Sequence, residues 1–214
     1  MANSLVVSEI FYSLQGEASR VGLPTVFIRL TGCPLRCQWC DTAHAFMGGA
    51  SMAIEAVLAA VVAYPAKQVC VTGGEPLAQK QCLELLVALC DAGYDVSLET
   101  SGALDISTVD ARVSRVVDLK APSSQESHQN LWPNIEHLRQ GDEVKIIIAT
   151  REDYDWAVEK LAEYRLAEKA PVLFSPAQDG LSPTTLADWI LQDGLPVRFQ
   201  LQLHKLLWGN ARGK

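Results

Sequence analysis

The sequence is short of what a membrane or nucleic-acid-binding protein needs. No apolar run among its 214 residues is long enough to span a bilayer. No basic segment followed by a long apolar run opens the chain, so no secretory leader is read and cytoplasmic residence is expected. Basic residues are outnumbered: 18 Lys and Arg against 25 Asp and Glu leave a net charge of −7, which argues against a nucleic-acid groove. A small anionic substrate is still allowed, because one arginine can hold a carboxylate against the overall field. Low-complexity segments, charged tails and fixed-period repeats are also missing. With 49% hydrophobic and 20% charged residues the composition is that of an ordinary globular chain, and one domain over residues 1–214 is the simplest reading. In a reducing compartment the six cysteines are thiols or metal ligands rather than disulfides.

What is present is a regular alternation. Short runs rich in β-branched residues, each nearly all apolar, are expected as strands over 24–30, 67–72, 94–100, 114–120, 143–148, 170–175 and 197–202. Helical patterns lie near 52–64, 79–92, 131–139, 152–167 and 182–193. Ser51 is a candidate cap for the first, and Ser182 followed by Pro183 reads as the start of the last. Strands separated by helices predict an α/β fold with a parallel sheet, here an open or partial (β/α) barrel of about six strands, with doubly wound order as the alternative. Polar and glycine-rich stretches fall at the C-terminal ends of these strands: Arg29 and a cysteine loop, TGGEP (72–76), ETSG (99–102), DLKAP (118–122), SPAQDG (175–180) and QLHK (202–205). Parallel α/β enzymes build their sites along that edge.

The cysteine loop, TGCPLRCQWCDT (31–42), places Cys33, Cys37 and Cys40 in a C-x3-C-x2-C spacing and then stops short of a fourth thiol. A structural zinc site normally takes four protein ligands, so it would need His44 or a distant cysteine. Cys70 lies in an apolar strand, and Cys82 and Cys90 in a Leu-rich helical pattern, so these three are read as core. Three thiolates suit a [4Fe–4S] cluster with one iron open to an outside chelate of amine and carboxylate. S-adenosylmethionine carries both groups. Trp39 either shields such a cluster or packs the loop. TGGEP either lets main chain approach a ligand closely through its two glycines or makes an ordinary strand-to-helix turn.

The cysteine spacing with its aromatic, followed by TGGEP after the next strand, resembles the signature of the radical S-adenosylmethionine superfamily. LQGE within EIFYSLQGEASRVGLPTVFIRLTGCPLRCQWCDT (9–42), with VTGGEPL, LETSGAL, DLKAP, EVKIII, SPAQDG and QLHK, resembles one of its families, the 7-carboxy-7-deazaguanine synthases. The resemblance implies conversion of 6-carboxy-5,6,7,8-tetrahydropterin to 7-carboxy-7-deazaguanine through a 5′-deoxyadenosyl radical, with loss of ammonia, in queuosine and deazapurine biosynthesis. It also implies Mg²⁺ held by Thr42, a homodimer, and a reductant such as flavodoxin. On this reading Thr72, Gly73, Gly74, Glu75, Thr100, Ser101, Asp118, Lys120 and Ser175 form the cofactor wall. Leu14, Gln15, Gly16, Glu17, Arg29, Thr72 and His204 bind substrate, with Arg29 as carboxylate clamp and Glu17 as acceptor for a guanidine-like edge. No protein acid or base is assigned, the radical coming from the cofactor.

The chain departs from the family pattern in places. Ala18 stands where glycine is usual, Leu203 where some relatives carry a small polar residue, and DLK where part of the family has Ser-Pro-Lys. The cluster loop lacks the expansion some members have, and the tail LLWGNARGK carries over no terminal carboxylate role. A glycyl-radical activase would keep the cysteines and GGEP but give LQGE and Arg29 no task. A non-catalytic zinc or iron–sulfur module would leave the strand-end motifs unexplained.

Overall fold

The computed structural model describes residues 4–178 and 180–214. Among them are nine strands: β1 (Ser4–Leu14), β2 (Pro24–Leu30), β3 (Ala50–Ala53), β4 (Gln68–Gly73), β5 (Asp95–Thr100), β6 (Ser114–Leu119), β7 (Glu143–Ile148), β8 (Val172–Pro176) and β9 (Arg198–Phe199). They form one sheet in the order β3-β1-β2-β4-β5-β6-β7-β8-β9. From β2 to β9 every neighbour is parallel. The sheet does not close on itself, which agrees with a partial barrel.

The expected strands are where the β-branched runs placed them, with two corrections. β1 and β3 pair antiparallel at the β2 edge and were not expected; one consequence is that Ser51 lies in β3 opposite Val6 rather than capping a helix. The last strand is cut to Arg198–Phe199, and QLHK opens a helix instead of ending a strand. The reason is tertiary. Gln200 spends its side chain on the Ala18 main chain, at 2.6 and 3.0 Å, and the Leu203 amide donates to the Gly16 carbonyl at 2.9 Å. The Gln200 amide still donates to the Phe174 carbonyl of β8 at 3.0 Å, and beyond it the segment is bonded to the loop after β1 instead of extending the ladder.

The helices are α1 (Ile54–Val62), α2 (Cys82–Asp91), α3 (Arg151–Glu163), α4 (Leu166–Lys169), α5 (Pro183–Asp193) and α6 (Leu203–Trp208). The helix expected at 131–139 is a 3₁₀ helix, Trp132–His137, with proline in its first turn. α3 begins with a full capping box between Thr150 and Asp153. Ser182 and Pro183 start α5 as expected, although Ser182 makes no side-chain cap bond.

The strands are not uniformly apolar. Side chains alternate across a strand, and here the two faces differ in chemistry. Val26, Ile28, Leu30, Val69, Val71, Leu98, Val117, Leu119, Val144, Ile146 and Phe174 share the main core with Val57 and Val61 of α1, Leu85 and Leu89 of α2, Tyr154 and Leu161 of α3, and Leu186 of α5. The intervening positions carry Arg29, Thr72, Glu99, Asp118 and Lys145, all bordering one cavity. Away from the cavity, fully buried Arg115 on β6 bonds Asp142 through Nε at 3.1 Å and its main-chain N–H at 2.9 Å. Its Nη1 donates to the Ile106 carbonyl at 2.9 Å, tying β6 to the segment between β5 and β6, while Asp142 ties it to the turn before β7.

Candidate active site

Cys33, Cys37 and Cys40 follow β2 as free, half-buried thiols on the wall of a cavity of about 1010 Å³. The loop that carries them is anchored from several sides. The Gly32 amide donates to the Ala45 carbonyl at 2.8 Å, and the Gln38 amide to the Ser124 carbonyl at 3.1 Å. Trp39 Nε1 donates to Ser123 Oγ at 3.0 Å, and that hydroxyl donates to Asp153 Oδ2 at 2.6 Å. The Lys120 ammonium stands 6.0 Å from the centre of the Trp39 ring. Burial pushes the Cys37 thiol up to about 11, with Lys120 pulling the other way, and raises Cys33 as well. Metal binding here must therefore displace protons. Among the described residues no three His, Cys, Asp or Glu side chains gather as a single bound ion requires. Thiols that share a wall without meeting at a point fit a multi-iron cluster, in which each binds a different iron. Thr42, whose Oγ1 is 3.7 Å from Cys40 Sγ, borders the same space.

TGGEP sits directly against this loop. A Cβ on Gly73 would stand 2.3 Å from the Leu30 carbonyl oxygen, and one on Gly74 would stand 2.3 Å from that of Gly32 and 2.8 Å from Cys33 Cβ. The Glu75 amide donates to the Gly32 carbonyl at 2.7 Å. The two glycines thus seat the turn on the cysteine loop, a close approach of main chain to main chain. Glu75 is fully buried beneath the cavity, accepting from Leu77 N at 2.9 Å, Thr100 Oγ1 at 2.9 Å and Ser101 N at 2.6 Å. It clips TGGEP to ETSG, and Thr72, Thr100 and Ser101 face the cavity above it. Ser175 is also buried under the site, its hydroxyl without a hydrogen-bond partner among the described residues. Asp179 of SPAQDG lies outside them.

Across the cavity is the LQGE loop, with Leu14, Gln15, Gly16 and Glu17 on the wall. Gln15 Nε2 donates to Glu99 Oε1 at 3.1 Å, and Thr72 Oγ1 donates to Glu99 Oε2 at 3.0 Å. His204, on α6, packs on Gly16 so tightly that a Cβ there would be 2.1 Å from its Nδ1. Arg29 is shared with Glu9, which takes its Nε at 2.7 Å; among the described residues no hydrogen bond uses its two Nη groups. Asp118 pairs with Lys120 at 3.2 Å and with Lys145 at 3.1 Å. Of the expected site residues all but Glu75 and Ser175 border this one space.

Several members of the site were not anticipated. Glu9 faces Arg29 across the β1–β2 ladder, invisible while β1 was unread. Glu99 stands in the sequence only as the first residue of ETSG, and its carboxylate bonds both Gln15 and Thr72. Lys145 lies within EVKIII without a site role of its own in the sequence reading, although a charge between Val144 and Ile146 in an apolar run is a signal. The tail from Gly209 to Lys214 also borders the cavity.

The Radical SAM superfamily model matches residues 27–167. A 7-carboxy-7-deazaguanine synthase of Chlorobaculum tepidum is 45% identical over 98% of this chain and 97% of its own length. One of Thermoplasma acidophilum is 35% identical over 98% of this chain and 100% of its own. The crystal structure of QueE from Escherichia coli superposes with a TM-score of 0.78 at 25% identity, covering 94% of this chain and 95% of that one. That of Streptococcus suis SuiB bound to S-adenosylmethionine shares the fold, with a TM-score of 0.53 at 13% identity over 79% of this chain and 44% of its own. Likeness running the length of both partners places the protein beyond the superfamily: it belongs to the 7-carboxy-7-deazaguanine synthase family of radical S-adenosylmethionine enzymes.

Proposed function

We propose that this enzyme converts 6-carboxy-5,6,7,8-tetrahydropterin to 7-carboxy-7-deazaguanine, with loss of ammonia, in queuosine or related deazapurine synthesis. The observation that carries the reading is the single cavity of about 1010 Å³ onto which the cysteine loop, the TGGEP turn and the LQGE loop all open. It has room for a cofactor and a bicyclic substrate side by side.

Cys33, Cys37 and Cys40 hold the cluster. When bound, a [4Fe–4S] cluster supplies S-adenosylmethionine with the electron that yields a hydrogen-abstracting radical. The main chain at Gly73 and Gly74, with Thr72, Thr100 and Ser101, forms the cofactor wall; Glu75 and Ser175 support it from below, and Asp118 and Lys120 close its side. At the other end Leu14, Gln15, Gly16 and Glu17 receive the pterin's amide and amino edge. Arg29 offers its Nη pair to the substrate carboxylate, Nε being occupied by Glu9. His204 closes over the loop from α6. Thr42 supplies a hydroxyl oxygen for Mg²⁺, a hard cation that keeps several waters and binds carboxylates. The whole chain acts as one domain. A homodimer, cytoplasmic residence and a flavodoxin-type donor complete the reading.

The test is an anaerobic assay of iron-reconstituted protein with S-adenosylmethionine, a reductant, Mg²⁺ and the pterin, following 5′-deoxyadenosine and 7-carboxy-7-deazaguanine by mass spectrometry. Both products are expected. Deoxyadenosine alone would keep the radical chemistry and remove the substrate; neither, from protein with an intact cluster, would end the reading. Alanine at Cys33, Cys37 or Cys40 should abolish cofactor cleavage, whereas Arg29→Ala should spare it and weaken pterin binding.

A further inference from the structure

Along the polar face of the sheet four charges alternate in a line. Glu17 Oε2 meets Lys145 Nζ at 2.5 Å, Lys145 meets Asp118 at 3.1 Å, and Asp118 meets Lys120 at 3.2 Å. Asp118 and Lys145 are register partners on β6 and β7. All but Asp118 are buried, none of them more than 9% exposed. A buried ion pair rarely stabilises a fold more than well-packed apolar residues would, so the network is poorly explained by stability alone. It points at Glu17.

Glu17 borders the cavity and is held through both carboxylate oxygens and its main chain. Its other oxygen accepts from Gln202 Nε2 at 2.7 Å, and its amide donates to Gln15 Oε1 at 3.3 Å. The next residue is fixed through both main-chain groups by Gln200. Burial would push the Glu17 carboxyl up, but the Lys145 ammonium, with hydrogen bonds from Lys145 and Gln202, holds it below the usual carboxylate range. A protonated carboxyl would present an O–H where an N–H donor edge needs acceptors.

Resting on the pterin reading above, we propose that Lys145 is a positioning residue for substrate recognition: bridging Glu17 and Asp118, it fixes Glu17 as an acceptor-only carboxylate facing the pterin's amide and amino edge. Lys145 acts through Glu17 and does not touch the substrate. The DLK departure then has a task, because Asp118 holds Lys145 in register.

The test is the affinity for 6-carboxytetrahydropterin, by anaerobic equilibrium dialysis of cluster-loaded enzyme with S-adenosylmethionine and no reductant. Groups that stand behind a ligand contact typically contribute about 10- to 100-fold. Lys145→Met should weaken binding by that factor and raise the pterin KM more than it lowers kcat, while Lys145→Arg restores most of the loss. In the Glu17→Gln background Lys145→Met should cost little more. An equal loss in both backgrounds would mean that Lys145 contacts substrate directly, and unchanged affinity in Lys145→Met would also overturn the proposal. If Lys145→Met does not fold, Glu17→Gln/Lys145→Met, which removes opposite charges together, is compared with Glu17→Gln alone, and a further loss of about 10-fold would overturn the proposal. Parent enzyme that binds no pterin would overturn the substrate reading itself, a distinct outcome.

Discussion

Gly16 has a neighbour that leaves no room for a methyl group, since His204 Nδ1 would lie 2.1 Å from its Cβ. Gly16→Ala should displace the imidazole from the pterin end and, at about 100-fold for an ångström-scale misplacement, lower kcat/KM for the pterin while iron content stays unchanged. Gly74→Ala should do the reverse: its Cβ meets the Gly32 carbonyl and Cys33, so iron bound per chain after reconstitution is expected to fall. Ala18 takes the left-handed conformation, at φ 61°, a region that favours glycine. Ala18→Gly relieves about 1–2 kcal/mol of backbone strain and loses a similar amount in chain entropy and a buried methyl. It should leave the melting temperature nearly unchanged, whereas β-branched Ala18→Val should lower it clearly. Burial holds His204 below the ordinary imidazole range, against the pull of Glu17, Asp41 and Glu99 and with Lys205 assisting. The unfolded chain therefore takes up the His204 proton first as pH falls through about 6.5. The stability linked to neutral His204 is present above that pH and is lost below it, down to the lower folded-state value. The melting temperature of the parent should accordingly fall relative to that of His204→Gln as the pH is lowered through that window.

At the scale of elements, a buried salt bridge reinforces the ladders that hold β6. Arg115 and Asp142 are at most 2% exposed, so Asp142→Asn leaves a buried guanidinium without its counter-charge, a loss of about 3–5 kcal/mol. For a domain of this size that lowers the melting temperature by roughly 6–20 °C, measurable by calorimetry on the apoprotein. The parallel strands were legible because each is a β-branched run closed by a turn signal. β1 was not: SLVVSEIFYSL mixes apolar and polar residues without strict alternation, and its partners are β2 and the short β3. α6 was lost for a related reason. VRFQLQ has strand propensity, but Gln200 and Leu203 are taken by the loop at residues 16–18, and tertiary bonding outweighed propensity.

For the molecule as a whole, the sheet separates stability from chemistry. The main core lies between the sheet and its helices, and no residue from 31–49 belongs to it. Removing iron with a chelator should therefore leave the far-ultraviolet circular dichroism of the apoprotein essentially unchanged. A protein folded by its metal would unfold instead, so that outcome would favour the structural-module alternative over an enzyme. The net charge of −7 likewise says little about the site, where Arg29, Lys120 and Lys145 line the same cavity as Glu9, Glu17 and Asp118.

The local chemistry could be read from residues alone: three thiols too close in the chain to be incidental, glycines where main chain must come near main chain, and polar clusters at successive strand ends. Short spacing constrains geometry without a fold, which is why the cysteine loop and the TGGEP turn are legible in the sequence. Pairings over long separations were decided only by the sheet. Glu17 and Lys145 are 128 residues apart, Gln15 and Glu99 are 84 apart, and Ala18 and Gln200 are 182 apart. Nothing in either member of such a pair names the other; strand order and a side-chain period of two bring them to one face. The same geometry makes Glu75 a buried clip between TGGEP and ETSG.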